Sequence, residues 1–73
     1  MHTDEKLVMM ANQIAAFFAA QGEERAVPAI ADHIRKFWDP EMRRKFLSTA
    51  EAAGDTLHPL VRKVVILLSP PSP

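Results

Sequence analysis

The dipeptide Asp39-Pro40 restricts the possible folds of this chain more than any other pair of residues. A proline pushes the preceding residue out of the helical region, so a helix that approaches it must end near Trp38. Asp39 is a favourable N-cap and Pro40 a favourable first helical residue, so another helix is expected to begin at once. The dipeptide therefore predicts a corner between two helices, with the only tryptophan of the chain beside it.

Glycines and prolines place the other helix boundaries. Gly22 is expected to end the first helix, because glycine is favoured just past a helix C-terminus. Residues 23–25 then read as a polar turn, and Pro28 suits the first turn of the second helix. Gly54 is expected to close the third helix, and Pro59 to start the fourth.

The chain has 73 residues and no cysteine, which predicts one small domain without disulfides. We expect an all-α fold, a small orthogonal bundle of three to four short helices over residues 1–68. The proline-rich residues 69–73 are expected to form a disordered tail. A core this small gives only marginal stability unless another interaction adds to it. Without disulfides, binding to another chain is the remaining source of added stability.

Each predicted helix has an expected core face. In the first it comprises Leu7, Met10, Ala11, Ile14, Phe17 and Phe18. In the second it comprises Val27, Ile30, Ile34, Phe37 and Trp38. In the third it comprises Met42, Phe46, Thr49, Ala50 and Ala53, and in the fourth Leu60, Val61, Val64, Leu67 and Leu68. Val65 and Ile66 fall outside the face of the fourth helix.

The opposite side of the first helix is small and uncharged, where a surface helix normally carries charge. Its residues are Val8, Asn12, Ala15, Ala16 and Ala19. Such a surface lets a second backbone approach closely, so we expect a partner chain to bind at Val8, Asn12, Ala15 and Ala19.

Basic residues surround the corner although the formal net charge of the chain is zero. Residues 1–32 carry two basic and five acidic side chains, whereas residues 33–45 carry five basic and two acidic ones. This basic group is either a solvated face or a docking surface for an acidic protein or an anionic cofactor group. The candidate partner-binding residues here are Arg35, Lys36, Trp38, Asp39, Arg43 and Arg44.

No pattern in the sequence predicts a catalytic, cofactor-binding or metal-ligating residue. There is no cysteine nucleophile and no glycine-rich phosphate loop, and the three histidines lack metal-ligand spacing. His33 reads as a flank of the core, and His58 as a cap of the fourth helix. No secretory signal is recognisable, and the uncharged residues 7–20 are too short and polar to cross a bilayer, so no membrane span is expected.

Three sequence blocks together resemble a known family. They are residues 6–18 (KLVMMANQIAAFF), residues 33–43 (HIRKFWDPEMR) and residues 57–62 (LHPLVR). The chain resembles the delta subunit of the molybdenum-containing, NAD-dependent formate dehydrogenases of bacteria. The similarity covers nearly all of residues 5–68, and its first two blocks are the more specific.

The resemblance implies a non-catalytic accessory subunit of a soluble cytoplasmic enzyme complex, with no cofactor of its own. The partner subunits would carry molybdopterin, iron–sulfur clusters and flavin. This chain would bind the complex, through its alpha subunit, and support assembly, cofactor insertion or stability. Two alternatives are a stand-alone homo-oligomeric adaptor, with a homodimer of the isolated chain, and a small nucleic-acid-binding domain. The zero net charge argues against the latter, so no nucleic-acid partner is expected. No membrane partner is expected either, since residues 7–20 are too short and polar to span a bilayer.

Overall fold

The computed structural model describes residues 3–69, which form four α-helices. These are α1 (Thr3–Phe18), α2 (Glu23–Phe37), α3 (Pro40–Ala53) and α4 (Pro59–Leu68). Short 3-10 turns at Ala19–Gln21 and Gly54–Thr56 follow α1 and α3. The all-α prediction is confirmed. Residues 70–73 of the predicted tail lie outside the described residues, and the division into a domain and a tail stays a prediction.

The corner between α2 and α3 has the predicted construction. Trp38 has an extended backbone, and its N–H still donates to the Ile34 carbonyl at 2.9 Å. Asp39 is the N-cap of α3, because its carboxylate accepts a hydrogen bond from the Met42 N–H at 2.8 Å. The Trp38 ring packs edge-to-face on Phe46, with 5.5 Å between ring centroids. The cap and this aromatic pair together fix where the two helices meet.

The predicted start of the second helix is wrong. α2 begins at Glu23, so residues 23–25 form its first turn and Pro28 lies in its interior. Gly22 has a φ of +88°, a conformation that glycine adopts without strain, and this lets the chain reverse directly into the helix. The N–H groups of Arg25 and Ala26 then donate to the Gly22 carbonyl. Two glutamates in the first turn also favour the early start, because they lie at the positive end of the helix dipole.

α4 is capped by His58, as the sequence predicted. The Leu60 N–H donates to the His58 Nδ1 at 3.1 Å. α4 packs mainly on α2, while α1 packs mainly on α3 and α2. The radius of gyration is 11.3 Å, close to the roughly 11 Å expected for a compact domain of this length. The four helices therefore bury a common core without help from another chain.

The core contains side chains from all four helices and from the corner. Its buried members are Leu7, Val8, Ala11, Ala15, Ala26, Ile30, Ala31, Ile34, Trp38, Phe46, Ala50, Leu57, Leu60, Val61 and Val64. Phe46, Ile30 and Ile34 are among the largest that are fully buried. Ile14, Phe18, Met42 and Val65 pack against the rim of this core. The predicted core faces of α2, α3 and α4 are thus largely confirmed.

Several side chains predicted to be buried are exposed instead. Phe17 is 77% exposed, Met10 41%, Phe37 71% and Leu67 48%. The core of α1 is centred on Val8, Ala11 and Ala15, so its buried face is rotated toward the small residues. These small residues permit close helix packing, which leaves the bulky Met10 and Phe17 outside.

Candidate interaction surfaces

The ten predicted partner-binding residues have different environments in the fold. Val8, Ala15 and Trp38 belong to the core and are at most 7% exposed. Asn12 and Arg43 are half-buried, and the other five are exposed: Ala19, Arg35, Lys36, Asp39 and Arg44. The expectation that Val8 and Ala15 face outward is therefore wrong. The backbones that approach the small face of α1 belong to this same chain.

Asn12 connects α1 to the loop before α4. Its side-chain amide donates to the Thr56 carbonyl at 2.8 Å, and its side-chain oxygen accepts from the His58 N–H at 2.9 Å. Both bonds pair backbone groups of the loop that have no hydrogen-bond partner within a helix. The predicted binding residue Asn12 is thus a structural side chain within this fold.

An aromatic patch lies where the C-terminal halves of α1 and α2 meet. We define it as Met10, Phe17, Phe18, His33 and Phe37. The rings of Phe17 and Phe18 meet edge-to-face at 5.2 Å, and the His33 ring lies 4.8 Å from Phe37 and 6.4 Å from Phe18. The four rings form a continuous row across both helices, and its two ends, Phe17 and Phe37, are mostly exposed.

The aromatic patch borders an open groove of about 500 Å³, lined by Met10, Gln13, Ile14, Phe17, Phe18, His33 and Trp38. No carboxylate or cationic lysine or arginine side chain lines this groove, so its wall is apolar apart from the Gln13 amide and the His33 ring. Phe17 and Phe37 are both exposed on this one surface, which is unusual for a protein that acts alone. The patch has the composition of a protein-binding surface, in which exposed aromatic residues are enriched.

The sequence holds a signal for the aromatic patch that differs from the predicted core faces. Phe17-Phe18 and Phe37-Trp38 are pairs of neighbouring aromatic residues. Neighbours on a helix point about 100° apart, so both members of a pair rarely enter one narrow core face. Trp38 is buried and Phe18 half-buried here, and Phe17 and Phe37 are left outside.

A second surface, the arginine groove, lies beside the corner on α2, α3 and α4. It has a volume of about 400 Å³ and is lined by Arg35, Pro40, Arg43, Arg44, Leu47 and Leu68. Arg35 Nη2 donates to the Leu67 carbonyl at 3.2 Å, and Arg43 Nη1 donates to the Arg35 carbonyl at 3.2 Å. Arg44 pairs with Glu41 one turn back on α3. The structure thus collects three of the predicted basic residues around one concave site.

Lys36 and Asp39 do not line the arginine groove. Lys36 pairs with Asp32 on the same helix at 3.0 Å, with both side chains more than half exposed. Asp39 is occupied by capping α3. Among residues 3–69, no group of three or more potential metal ligands occurs, and none of the described helices is long and apolar enough to cross a membrane.

The fold and these surfaces define a small all-α domain that presents one apolar and one basic surface to other molecules. Residues 6–65 match the model of the family described as the NADH-dependent formate dehydrogenase delta subunit FdsD. Because this match spans most of the chain, the protein belongs to that family, and the resemblance seen in the sequence is confirmed. No curated protein and no solved structure gives a significant match.

Proposed function

We propose that this chain is a non-catalytic accessory subunit of an NAD-dependent, molybdenum-containing formate dehydrogenase. It binds the alpha subunit of the complex and supports assembly, cofactor insertion or stability of the enzyme. Membership of a delta-subunit family supports the association with the complex. The sequence pattern supports the non-catalytic role, since it offers no cysteine nucleophile and no recognisable cofactor-binding motif.

The exposed aromatic patch is the observation that carries this proposal. Phe17 and Phe37 leave a large apolar area in water, although the core of the domain is complete without them. Fully burying one such side chain contributes about 1.5–3 kcal/mol, so covering both favours association appreciably. A subunit that works within a complex gains this energy only when its partner is present.

The surface proposed for docking therefore differs from the one expected from the sequence. Val8 and Ala15 of the small face of α1 are covered by the chain's own helices, whereas Ala16 and Ala19 are exposed. Binding through the aromatic patch instead leaves the four-helix core undisturbed. The delta chain would then add to the complex as a preformed domain, which keeps the entropic cost of association low.

Two experiments test the accessory role. The enzyme purified from a strain without this chain is expected to have lower activity, molybdenum content or thermal stability than the complete enzyme. Normal values of all three would exclude the role. In the second experiment a tagged copy of the chain is recovered from cells, and its co-purifying subunits are identified by mass spectrometry.

Variants of the aromatic patch connect the role to its surface. The double variant Phe17→Gln/Phe37→Gln is expected to lose co-purification of the alpha subunit. Ile66→Gln is the matched control, because Ile66 is 75% exposed but lies on α4, outside the patch. Light scattering of the isolated chain shows whether the same patch pairs two copies. A homodimer that persists instead of binding the alpha subunit would favour the adaptor alternative.

A further inference from the structure

The arginine groove combines cationic walls with an apolar floor. Arg35, Arg43 and Arg44 supply three guanidinium groups, whereas Leu47 and Leu68 are half-buried aliphatic side chains. None of the six lining residues is acidic. The groove therefore offers charge on its sides and hydrocarbon at its base.

Two of the three guanidinium groups are held in place by the fold. Arg35 is tied to the last turn of α4 and Arg43 to the last turn of α2, each through a backbone carbonyl. A guanidinium has five N–H donors, so each arginine keeps donors for a ligand after this bond is made. Fixing these long side chains beforehand reduces the entropy that binding would otherwise remove.

These features specify the chemistry of the occupant. Guanidinium groups bind carboxylates through two parallel hydrogen bonds, so an acidic side chain fits the walls of the groove. The leucine floor fits an apolar side chain on the same ligand. A free phosphate or a nucleic-acid backbone can pair with the arginines of the walls but has no apolar group that would cover Leu47 and Leu68.

We propose that the arginine groove binds an acidic segment of a partner subunit, with an apolar side chain seated between Leu47 and Leu68. This inference rests on the proposed accessory function and adds a second contact site to it. The aromatic patch would supply apolar burial, and the arginine groove would orient the chain through charge. Electrostatic contacts of this kind act mainly on the association rate and on the choice of partner.

Reversal of one charge tests the proposal with little risk to the fold. Arg44 is exposed, and its only ion pair in the described chain is a surface contact with Glu41. Arg44→Glu is expected to slow association with the complex about tenfold at low salt. Lys45→Glu is the matched control: it changes the charge equally at the next position of α3, but Lys45 does not line the groove. This control is expected to slow association less than about threefold.

The measurement uses formate dehydrogenase purified from the strain without this chain and immobilised on a biosensor. Full-length wild-type and variant chains are added after circular dichroism has established that each is folded. If Arg44→Glu associates as fast as Lys45→Glu, the groove proposal is wrong, while the accessory role stands. If the wild-type chain does not bind at all, both proposals are wrong.

Crosslinking identifies the occupant. Replacing Leu47 by photo-leucine puts the reactive group on the floor of the groove, and mass spectrometry then finds the attached peptide. The expected peptide contains Asp or Glu within a few residues of an apolar residue and belongs to another subunit. A crosslink to a nucleotide, to a cofactor or to a peptide without carboxylates would overturn the proposal.

Discussion

Asn12 shows at the scale of one residue how a polar side chain on a helix can be structural. It is the only polar residue among those that the sequence assigned to the small face of α1, and it serves two backbone groups of the loop before α4. That loop has few helical hydrogen bonds of its own, so the side chain holds it against α1. The contact joins residues 46 positions apart in the sequence.

Asn12→Ala is expected to destabilise the domain. Two hydrogen bonds are lost at about 1 kcal/mol each, and the better helix propensity of alanine returns roughly 0.5 kcal/mol. The free energy of unfolding should therefore fall by about 1.5 kcal/mol in urea denaturation. Gln13→Ala is the control, since Gln13 is an exposed amide at the next position and has no such bonds. Equal effects of the two substitutions would contradict the structural role of Asn12.

Residue-level prediction from the sequence failed where large apolar side chains compete for the core. Their size and position on the helical wheel predict Met10 and Phe17 as core residues, whereas the fold buries Val8 and Ala15. A helical wheel carries no information about which elements surround a helix, and α1 has neighbours on two sides, α2 and α3. The small residues of α1 do admit neighbouring backbones closely, as expected. The sequence could not say that these backbones belong to the same chain.

At the scale of the helix, the Asp39 cap determines where α3 begins. Asp39→Ala removes the acceptor for the Met42 N–H and is expected to lower stability by about 1 kcal/mol. In a domain of this size that corresponds to a melting temperature about 4–8 °C lower, which thermal denaturation can measure. Asp39→Ser retains a capping oxygen and should change the melting temperature much less. A similar loss in both variants would mean that the cap is not what stabilises this corner.

Pro28 is the one helix-breaking residue in the interior of α2. It cannot donate to the carbonyl of Glu24, and its ring crowds that carbonyl. Pro28→Ala is therefore expected to raise the free energy of unfolding by about 1–3 kcal/mol, since the side chain is exposed and contributes little packing.

Pro40 and Pro59 supply the control for this substitution. Both occupy the first turn of their helices, where a missing N–H leaves no helical bond unmade. Pro40→Ala and Pro59→Ala should leave stability unchanged or lower it slightly in the same denaturation experiment. If Pro28→Ala also fails to raise the free energy of unfolding, α2 must accommodate the proline without the expected cost.

Helix boundaries were more predictable than helix faces because their causes are local. Gly54, Asp39 and Pro59 act through their own backbone or the next turn, and each ends or begins a helix as predicted. Pro28 misled the prediction because proline is favoured in a first turn, whereas here it lies in the interior of α2 despite its cost there. The glycine at position 22 indicates a break, but its identity alone does not specify that α2 begins directly after it through a positive φ.

At the scale of the whole molecule, the domain closes its own core and still exposes the two surfaces proposed for binding. The arginine cluster could be foreseen from the charge pattern, since residues 33–45 are locally basic. Its concave shape could not, because Leu68 reaches the groove from α4, far along the chain. The aromatic patch likewise requires the register between α1 and α2, which no local pattern determines.

Binding through the aromatic patch should stabilise the delta chain against global unfolding. A partner present at about 100 times its dissociation constant contributes roughly 2.7 kcal/mol, which slows hydrogen exchange through global unfolding about a hundredfold. We therefore expect core amides, such as those of Ile30, Ile34 and Phe46, to exchange about a hundredfold more slowly when the remaining subunits are added. Mass spectrometry of the delta chain in the mixture measures this protection.

The Phe17→Gln/Phe37→Gln variant separates docking from folding in that experiment. Both side chains are largely exposed, so the isolated variant should have nearly wild-type exchange. In the presence of the other subunits it should gain little protection, because its apolar contact with them is gone. Ile66→Gln should be protected as well as the wild type. If the double variant is protected equally, the delta chain docks through another surface, and the exposed phenylalanines of this fold have some other role.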